Sequence, residues 1–289
     1  MIAYMPKNKA FRNIWTFNCA GRLLVVDQPL IMGIINLTED SFYAGSRHMQ
    51  LDDILRTAES MLQQGATFLD LGAQSTRPGA TPVHAEEEWR RLQPAILAIK
   101  KHFAEAYLSV DTYYASVARR AVEAGVDLVN DISAGRMDPE MMATVAMLGV
   151  PYVIMHMQGT PATMQIQPHY DDVVDEITAF FIEKVAMCRQ AGIHDLIIDP
   201  GFGFGKNLQH NYLLLRHLHV FHALGLPLLV GLSRKSMIYR LLETTPEQAL
   251  NGTTALHMLA LEQGAAILRV HDVREASEVI RLWRYYHEC

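Results

Sequence analysis

The residues of this chain best suited to chemistry are Asn36, Thr76, Arg77, Asp111, Asn130, His156, Asp199, Arg234, Lys235, Arg269 and His271, and each ends or closely follows a short apolar run. Ionised carboxylates such as Asp111 and Asp199 only accept hydrogen bonds, which suits the N–H edge of a donor-rich heterocycle. Arg77, Arg234, Lys235, Arg269 and His271 form a cationic set in a chain of net charge −6 and would focus an anion. A ligand with a phosphate-like end and a donor-rich ring satisfies both sets. Taken singly, an Asp or Asn after a strand is also a common turn or helix cap, and a basic residue there is often a rim ion pair. Recurrence separates the two readings, because every one of the apolar runs ends in such a residue.

These residues need a scaffold that brings run ends together. The runs are IMGII (31–35), TFLDLG (67–72), AYLSVD (106–111), VDLVND (126–131), PYVIMH (151–156), DLIIDP (195–200), PLLVGL (227–232) and AAILRV (265–270). Near-continuous Val, Ile and Leu over this length predicts parallel strands buried on both faces. Helical spacing falls between them: Ile54, Leu55, Ala58, Met61 and Leu62 before Gly65, then Val117, Ala118, Ala121 and Val122 before Gly125, and Val174, Ile177, Phe181, Val185 and Cys188 in a longer segment. The alternation predicts a single-domain (β/α)8 TIM barrel over 31–289, with a doubly wound open sheet as the alternative that periodicity alone leaves open. In a barrel all the run ends lie on one rim, where such enzymes keep their active sites. Residues 1–30 form an N-terminal extension in which WTFNCAGRLLVVDQ suggests a hairpin closing the barrel floor.

The totals agree with this scaffold. The chain has 289 residues, 50% of them hydrophobic, which suits one large α/β barrel. There is no apolar run long enough for a membrane span and no secretory leader pattern at the N-terminus. Cys19, Cys188 and Cys289 have no ligand-like spacing and suit free thiols in a reducing cytoplasm. The negative charge argues against general nucleic-acid binding. His217, His219 and His222 read as surface histidines, since no carboxylate or Cys completes a metal set. GFGFGK (201–206) is not a phosphate-binding Walker loop, because Asn207 stands where Ser or Thr is required. Its glycines suggest a pliable loop with Phe202 or Phe204 available to a ligand ring.

Eight segments in order, MGIINLTEDSF (32–42), DLGAQSTRPGA (70–80), SVDTYYASVA (109–118), VNDISAG (129–135), MHMQGTPATMQ (155–165), IIDPGFGFGKN (197–207), LVGLSRKS (229–236) and ILRVHDV (267–273), resemble the dihydropteroate synthase family of folate biosynthesis. The resemblance implies a transferase that condenses 6-hydroxymethyl-7,8-dihydropterin diphosphate with 4-aminobenzoate and releases diphosphate. It implies pterin contacts from Asp111, Asn130, Asp199, Lys235 and Arg269, and diphosphate contacts from Asn36, Arg77, Arg269 and His271. Thr76, Pro78, Phe204 and Ser236 become the 4-aminobenzoate pocket, and Asp111, Lys235, Arg269 and His271 the catalytic set. Asn36 is expected to help hold Mg2+ on the diphosphate. Inhibition by sulfonamides and a homodimeric state are further expectations. The alternatives are a non-catalytic pterin-binding paralogue and a methyltetrahydrofolate-binding methyltransferase domain; LSRKS, RVHDV and Asn36 favour a diphosphate substrate over both. Three positions depart from the family pattern: Glu39 where Pro is usual, Ala44 where Asp is frequent, and Gln74 where Glu is usual.

Overall fold

The computed structural model describes residues 13–37, 47–74 and 83–289. It opens with the expected hairpin, β1 (Trp15–Cys19) paired antiparallel with β2 (Arg22–Val26). The two-residue turn places Ala20 at φ 51° and Gly21 at φ 88°, the left-handed pair that matches the twist of a tight hairpin. Its inward side chains Phe17, Cys19 and Val26 are buried with Leu30, Met32, Phe68, Leu128, Val153, Ile197, Leu229 and Ile267, the lower ends of the barrel strands. The hairpin therefore plugs the floor. Asn18 N–H donates to Asp195 at 2.7 Å and Arg22 pairs with Asp127 at 2.8 Å, fixing it to two separate strand entries.

Eight strands follow: β3 (Leu30–Asn36), β4 (Phe68–Gly72), β5 (Tyr107–Asp111), β6 (Leu128–Asp131), β7 (Tyr152–Met155), β8 (Leu196–Asp199), β9 (Leu229–Val230) and β10 (Ile267–Val270). All neighbours are parallel, in the order β8-β7-β6-β5-β4-β3-β10-β9, and a parallel bridge from Ile198 to Leu228 joins the two ends. The sheet closes. The expected barrel is correct and the open sheet is excluded.

Helices α1 (Arg47–Gln63), α2 (Ala85–His102), α3 (Ala115–Glu123), α4 (Met141–Leu148), α5 (Val173–Gln190), α6 (Leu208–Arg216), α7 (Ser236–Tyr239), α8 (Leu250–Glu262) and α9 (Val273–Glu288) lie between or after the strands, with a 3-10 segment at Leu218–Leu224. Outward strand residues such as Ile31, Leu69, Leu71, Val110, Ile154 and Leu268 share one core with the helix faces that the periodicity predicts, including Ile54, Ala58, Val117, Ile177 and Phe181. Burying each such aliphatic side chain stabilises the fold by about 1.5–3 kcal/mol before the entropy of ordering it is subtracted. At Gly33 an added Cβ would lie 2.8 Å from Met61 Sδ and 3.2 Å from Val273 Cγ2, so only glycine lets α1 and α9 press on β3 together.

Strand pleating sorts the remaining residues. Successive side chains alternate between the helix-facing and barrel-facing sides. Along β4, Phe68, Asp70 and Gly72 share one side, and their register partners on β5 are Tyr107, Ser109 and Asp111. β3, β4, β5, β6, β8 and β10 thus turn an apolar residue inward near the floor and a polar one inward nearer the mouth, where β7 has Met155 and β9 leads to Gly231.

Candidate active site

The polar tier at the mouth centres on Arg269, the inward residue of β10. Its Nε donates to Asp70 Oδ2 at 2.7 Å, and its Nη2 lies 2.6 Å from the same oxygen and donates to Asp111 Oδ2 at 2.7 Å. Asp70 is completely buried and also accepts from Ser109 Oγ at 2.5 Å and Asn130 Nδ2 at 3.2 Å. Burial works against the Arg269 charge, but Asp70 and Asp111 outweigh it and hold the guanidinium firmly protonated. Burial raises the Asp111 carboxyl above the usual range, Arg269 opposes that, and Asp70, Asp131 and Asp199 reinforce it. Arg269 is the cation that ion-pairs with both Asp70 and Asp111 in this acidic cluster.

Asp199, at the end of β8, is 5% exposed and accepts from Gly201 N–H at 2.8 Å. Burial raises its carboxyl, and Lys235 is the strongest opposing influence. Lys235, just after β9, donates to the Phe202 carbonyl, and its Nζ lies 4.6 Å from the centre of the Phe204 ring. Burial lowers the Lys235 ammonium to about 8, with Asp199 pulling the other way. Gly231 faces this space without a side chain; its Cβ position lies 3.9 Å from both Asp199 Oδ2 and Arg269 Cδ.

The outer rim is made by Asn36 and His271. Asn36 is exposed at the end of β3, and no described residue hydrogen-bonds its amide. Ser233 Oγ accepts from the backbone N–H of His271 at 3.3 Å and lies 3.1 Å from its Nδ1. With the hydroxyl donating to Nδ1, the ring proton sits on Nε2, the tautomer that can donate to an anion. Desolvation and then the Arg269 charge lower His271 to about 4, although the residue reaches solvent at the rim. It is neutral at pH 7.

The structure therefore brings together Asn36, Asp111, Asn130, Asp199, Phe204, Lys235, Ser236, Arg269 and His271 on one mouth, with Ser236 opening α7 directly after Lys235. Thr76, Arg77 and Pro78, together with Glu39 and Ala44, lie outside the described residues. Among the described residues, no group of three His, Cys, Asp or Glu side chains can hold a metal, and His219 and His222 instead contact Gln263.

Two expectations change. Arg234 does not serve an anion-focusing rim: it makes a bidentate pair with Asp272 at 2.7 Å and donates to the carbonyls of Pro246 and Glu247 at 3.0 and 2.6 Å. All of that binds the β9 exit to α9 and the start of α8. The GFGFGK loop is also clamped rather than pliable. Phe202 is fully buried, and buried Lys206 donates to the Gly201 and Phe204 carbonyls at 3.0 and 3.1 Å and lies 3.0 Å from His156 Nδ1. An added Cβ at Gly201, φ 73°, would stand 1.9 Å from the His156 carbonyl oxygen. Burial lowers Lys206 well below its ordinary value and His156 to about 2, so His156 is a neutral acceptor. The glycines serve close packing that presents Phe204, not flexibility.

Asp70 does not stand out in the sequence because it sits in the middle of an apolar run; its shared parity with Phe68 and Gly72 is the signal available. Nor does Asp131 stand out as a brace. It accepts from Tyr152 Oη at 2.6 Å and from Ser133 N, Ser133 Oγ and Gly135 N, each at 2.7 Å, which fixes the turn that follows Asn130.

A closed parallel barrel whose mouth holds a buried, charge-paired polar tier around Arg269, with Lys235 beside Asp199, defines a barrel enzyme for a polar ring bearing an anion. The chain belongs to the pterin-binding enzyme family, whose model matches residues 32–271. It is 48% identical over 264 residues to the dihydropteroate synthase of Escherichia coli, covering 91% of this chain and 93% of the relative. It resembles the Xanthomonas albilineans dihydropteroate synthase solved with 4-aminobenzoic acid, at TM-score 0.87 and 43% identity, covering 95% of this chain and 98% of that one. The Yersinia pestis dihydropteroate synthase solved as a sulfonamide drug complex gives TM-score 0.87 and 44% identity over 94% and 98% of the two chains.

Proposed function

We infer that the chain is a transferase that condenses 6-hydroxymethyl-7,8-dihydropterin diphosphate with 4-aminobenzoate, forming 7,8-dihydropteroate and releasing diphosphate. The observation that carries this reading is the Asp199–Lys235–Phe204 corner beside the Asp70–Arg269–Asp111 cluster. It offers a buried carboxylate for the pterin's N–H edge, an amide at Asn130, a flat guanidinium at Arg269 for stacking, and an aromatic wall. The relatives, named dihydropteroate synthases over nearly their whole length, support the same reaction.

The methylene C–O bond breaks and its electron pair leaves with the diphosphate; the aniline lone pair then forms the C–N bond, and the nitrogen gives up its extra proton to solvent. An aniline is a weak nucleophile, so positive charge builds on the methylene before attack. In this reading Asp111 stabilises that charge, and Arg269 and His271 receive the departing diphosphate. Lys235 and Asp199 hold the ring, while Phe204, Ser236, Thr76 and Pro78 receive 4-aminobenzoate; Asn36 and Arg77 belong to the diphosphate end.

The exposed Asn36 amide fits Mg2+ shared with a substrate diphosphate, since magnesium keeps waters and takes few protein ligands. When bound, the ion neutralises charge on the leaving group. Exposed Leu259 on α8 and Leu282, Tyr285 and Tyr286 on α9 support assembly as a homodimer, and the buried thiols of Cys19 and Cys188 suit a cytoplasmic location. No described helix is long and apolar enough to cross a membrane.

The loop after β8 reads PGFGFGKN, and Phe204 meets Lys235 there without an intervening insertion. Sulfonamides should therefore compete with 4-aminobenzoate in steady-state kinetics. Undiminished turnover at high drug concentration would remove this corner from the 4-aminobenzoate pocket.

A further inference from the structure

β9 has two residues, and its backbone ladder to β10 pairs Leu229 with Ile267 and Val230 with Leu268. Lys235 and His271 both lie past the end of that ladder. Side chains carry its register onward. The ladder partners stand 38 residues apart in sequence, and the same offset joins Ser233 to His271 and Arg234 to Asp272. Gly231 and Arg269 keep it too, with the Gly231 Cβ position 3.9 Å from Arg269 Cβ. Two side-chain rungs thus extend a short parallel pairing to the mouth of the barrel.

The second rung also sets the path of the chain. Lys235 N–H donates to the Leu232 carbonyl at 3.2 Å, closing a tight turn in which Arg234 stands at φ 54°. Glycine is the usual residue at such a place, because a side chain disfavours positive φ. Another residue persists there only where its surroundings over-determine the conformation. At Arg234 they do. Its backbone N–H donates to Thr253 Oγ1 at 3.1 Å, and Nε and Nη2 each reach an Asp272 oxygen at 2.7 Å. Its Nη1 donates to the Pro246 and Glu247 carbonyls. With side-chain exposures of 23% and 19%, the two charges are less screened than a surface pair. The turn then delivers Lys235 to the Phe202 carbonyl, beside Asp199.

We propose that Arg234 and Asp272 are a positioning pair for the reaction: their ion pair keeps the exits of β9 and β10 in register, so that Lys235 meets Asp199 while Ser233 meets His271. The proposal rests on the synthase reading for what Lys235 and His271 bind. Arg234 and Asp272 act through their sequence neighbours and not on the substrate. A lysine could not replace the arginine, because the planar fork makes two parallel bonds to one carboxylate and an ammonium does not. Without the pair the turn relaxes from its positive φ, and the Lys235 ammonium and the Ser233 hydroxyl move together.

The test is a double-mutant cycle of Arg234→Met and Asp272→Asn in the full chain, read as kcat/KM for the pterin diphosphate. Each single change should lower it about tenfold or more, and the double variant should be no worse than either. Losses that multiply, or single variants within about twofold of wild type, would overturn the proposal. Arg234→Gly separates the guanidinium from the backbone, since glycine takes the turn without strain. It should fail as Arg234→Met does, and wild-type kinetics would show that the turn alone suffices. Nitrogen NMR of the His271 ring, assigned by its loss in His271→Gln, needs no turnover. Nδ1 should appear as an acceptor in the wild type and average between tautomers in Arg234→Gly; an unchanged signal would overturn the assignment. Absence of product from the wild type would defeat the synthase reading instead, and the His271 signals would still decide the pair.

Discussion

Arg269 on β10 and Asp70 on β4 meet inside the barrel at 2.6–2.7 Å although 199 residues separate them in sequence. Neither strand touches the other, since β3 lies between them. The pair therefore spans the barrel interior, and Arg269 carries the link on to Asp111. Removing one member of a buried ion pair strands the other charge, which costs about 3–5 kcal/mol. Asp70→Ala should lose stability on that scale in urea titration and lose turnover as Arg269 shifts. A loss under about 0.5 kcal/mol, the range of an ordinary surface change, would show that the pair contributes little.

Asp199→Asn keeps the size of the side chain but exchanges an ionised acceptor for an amide with two donors. Loss of a hydrogen bond to a charged group costs about 1.5–3 kcal/mol, or roughly a 10- to 150-fold weaker pterin affinity. Calorimetry with 6-hydroxymethyl-7,8-dihydropterin would read it. Near-normal affinity in a folded variant would remove Asp199 from the pterin contact.

His271 carries the pH dependence of the anion end. Its folded value is lowered to about 4 from an ordinary 6.5, so it is neutral at pH 7. A diphosphate beside it favours the charged form and raises that value. Between the free and bound values, binding takes up a proton; affinity for the pterin diphosphate should rise as pH falls through the bound value and level off below about 4. His271→Ala should abolish this slope and weaken the diphosphate far more than the matching hydroxymethylpterin alcohol. Equal weakening of both ligands would make His271 structural.

Much of this molecule is legible in the chain because a parallel barrel strand is buried on both sides, so its sequence is an unbroken apolar run. The runs at 31–35 and 67–72, for example, fall on β3 and β4 almost to the residue. Their ends carry the polar tier, which is why Asn130, Asp199 and Arg269 stand out. Asp70 does not, since it occupies the middle of FLDLG and only strand parity reveals that it faces inward. Arg234 illustrates the converse. It resembles its neighbour Lys235 in sequence, yet it stands at φ 54° and turns toward Asp272, a partner 38 residues away. Gly201 is ambiguous in a chain of letters: the same residue permits a loose loop or a backbone contact, and only the His156 carbonyl beside it selects the second.

This barrel is proposed to join a pterin methylene to an aniline nitrogen with loss of diphosphate. Purified protein with Mg2+, 6-hydroxymethyl-7,8-dihydropterin diphosphate and 4-aminobenzoate should yield 7,8-dihydropteroate by mass spectrometry. Diphosphate should appear in equal amount, and sustained release should stop when 4-aminobenzoate is omitted. A folded protein that binds the pterin diphosphate but forms no dihydropteroate would contradict the account and favour a non-catalytic pterin-binding barrel.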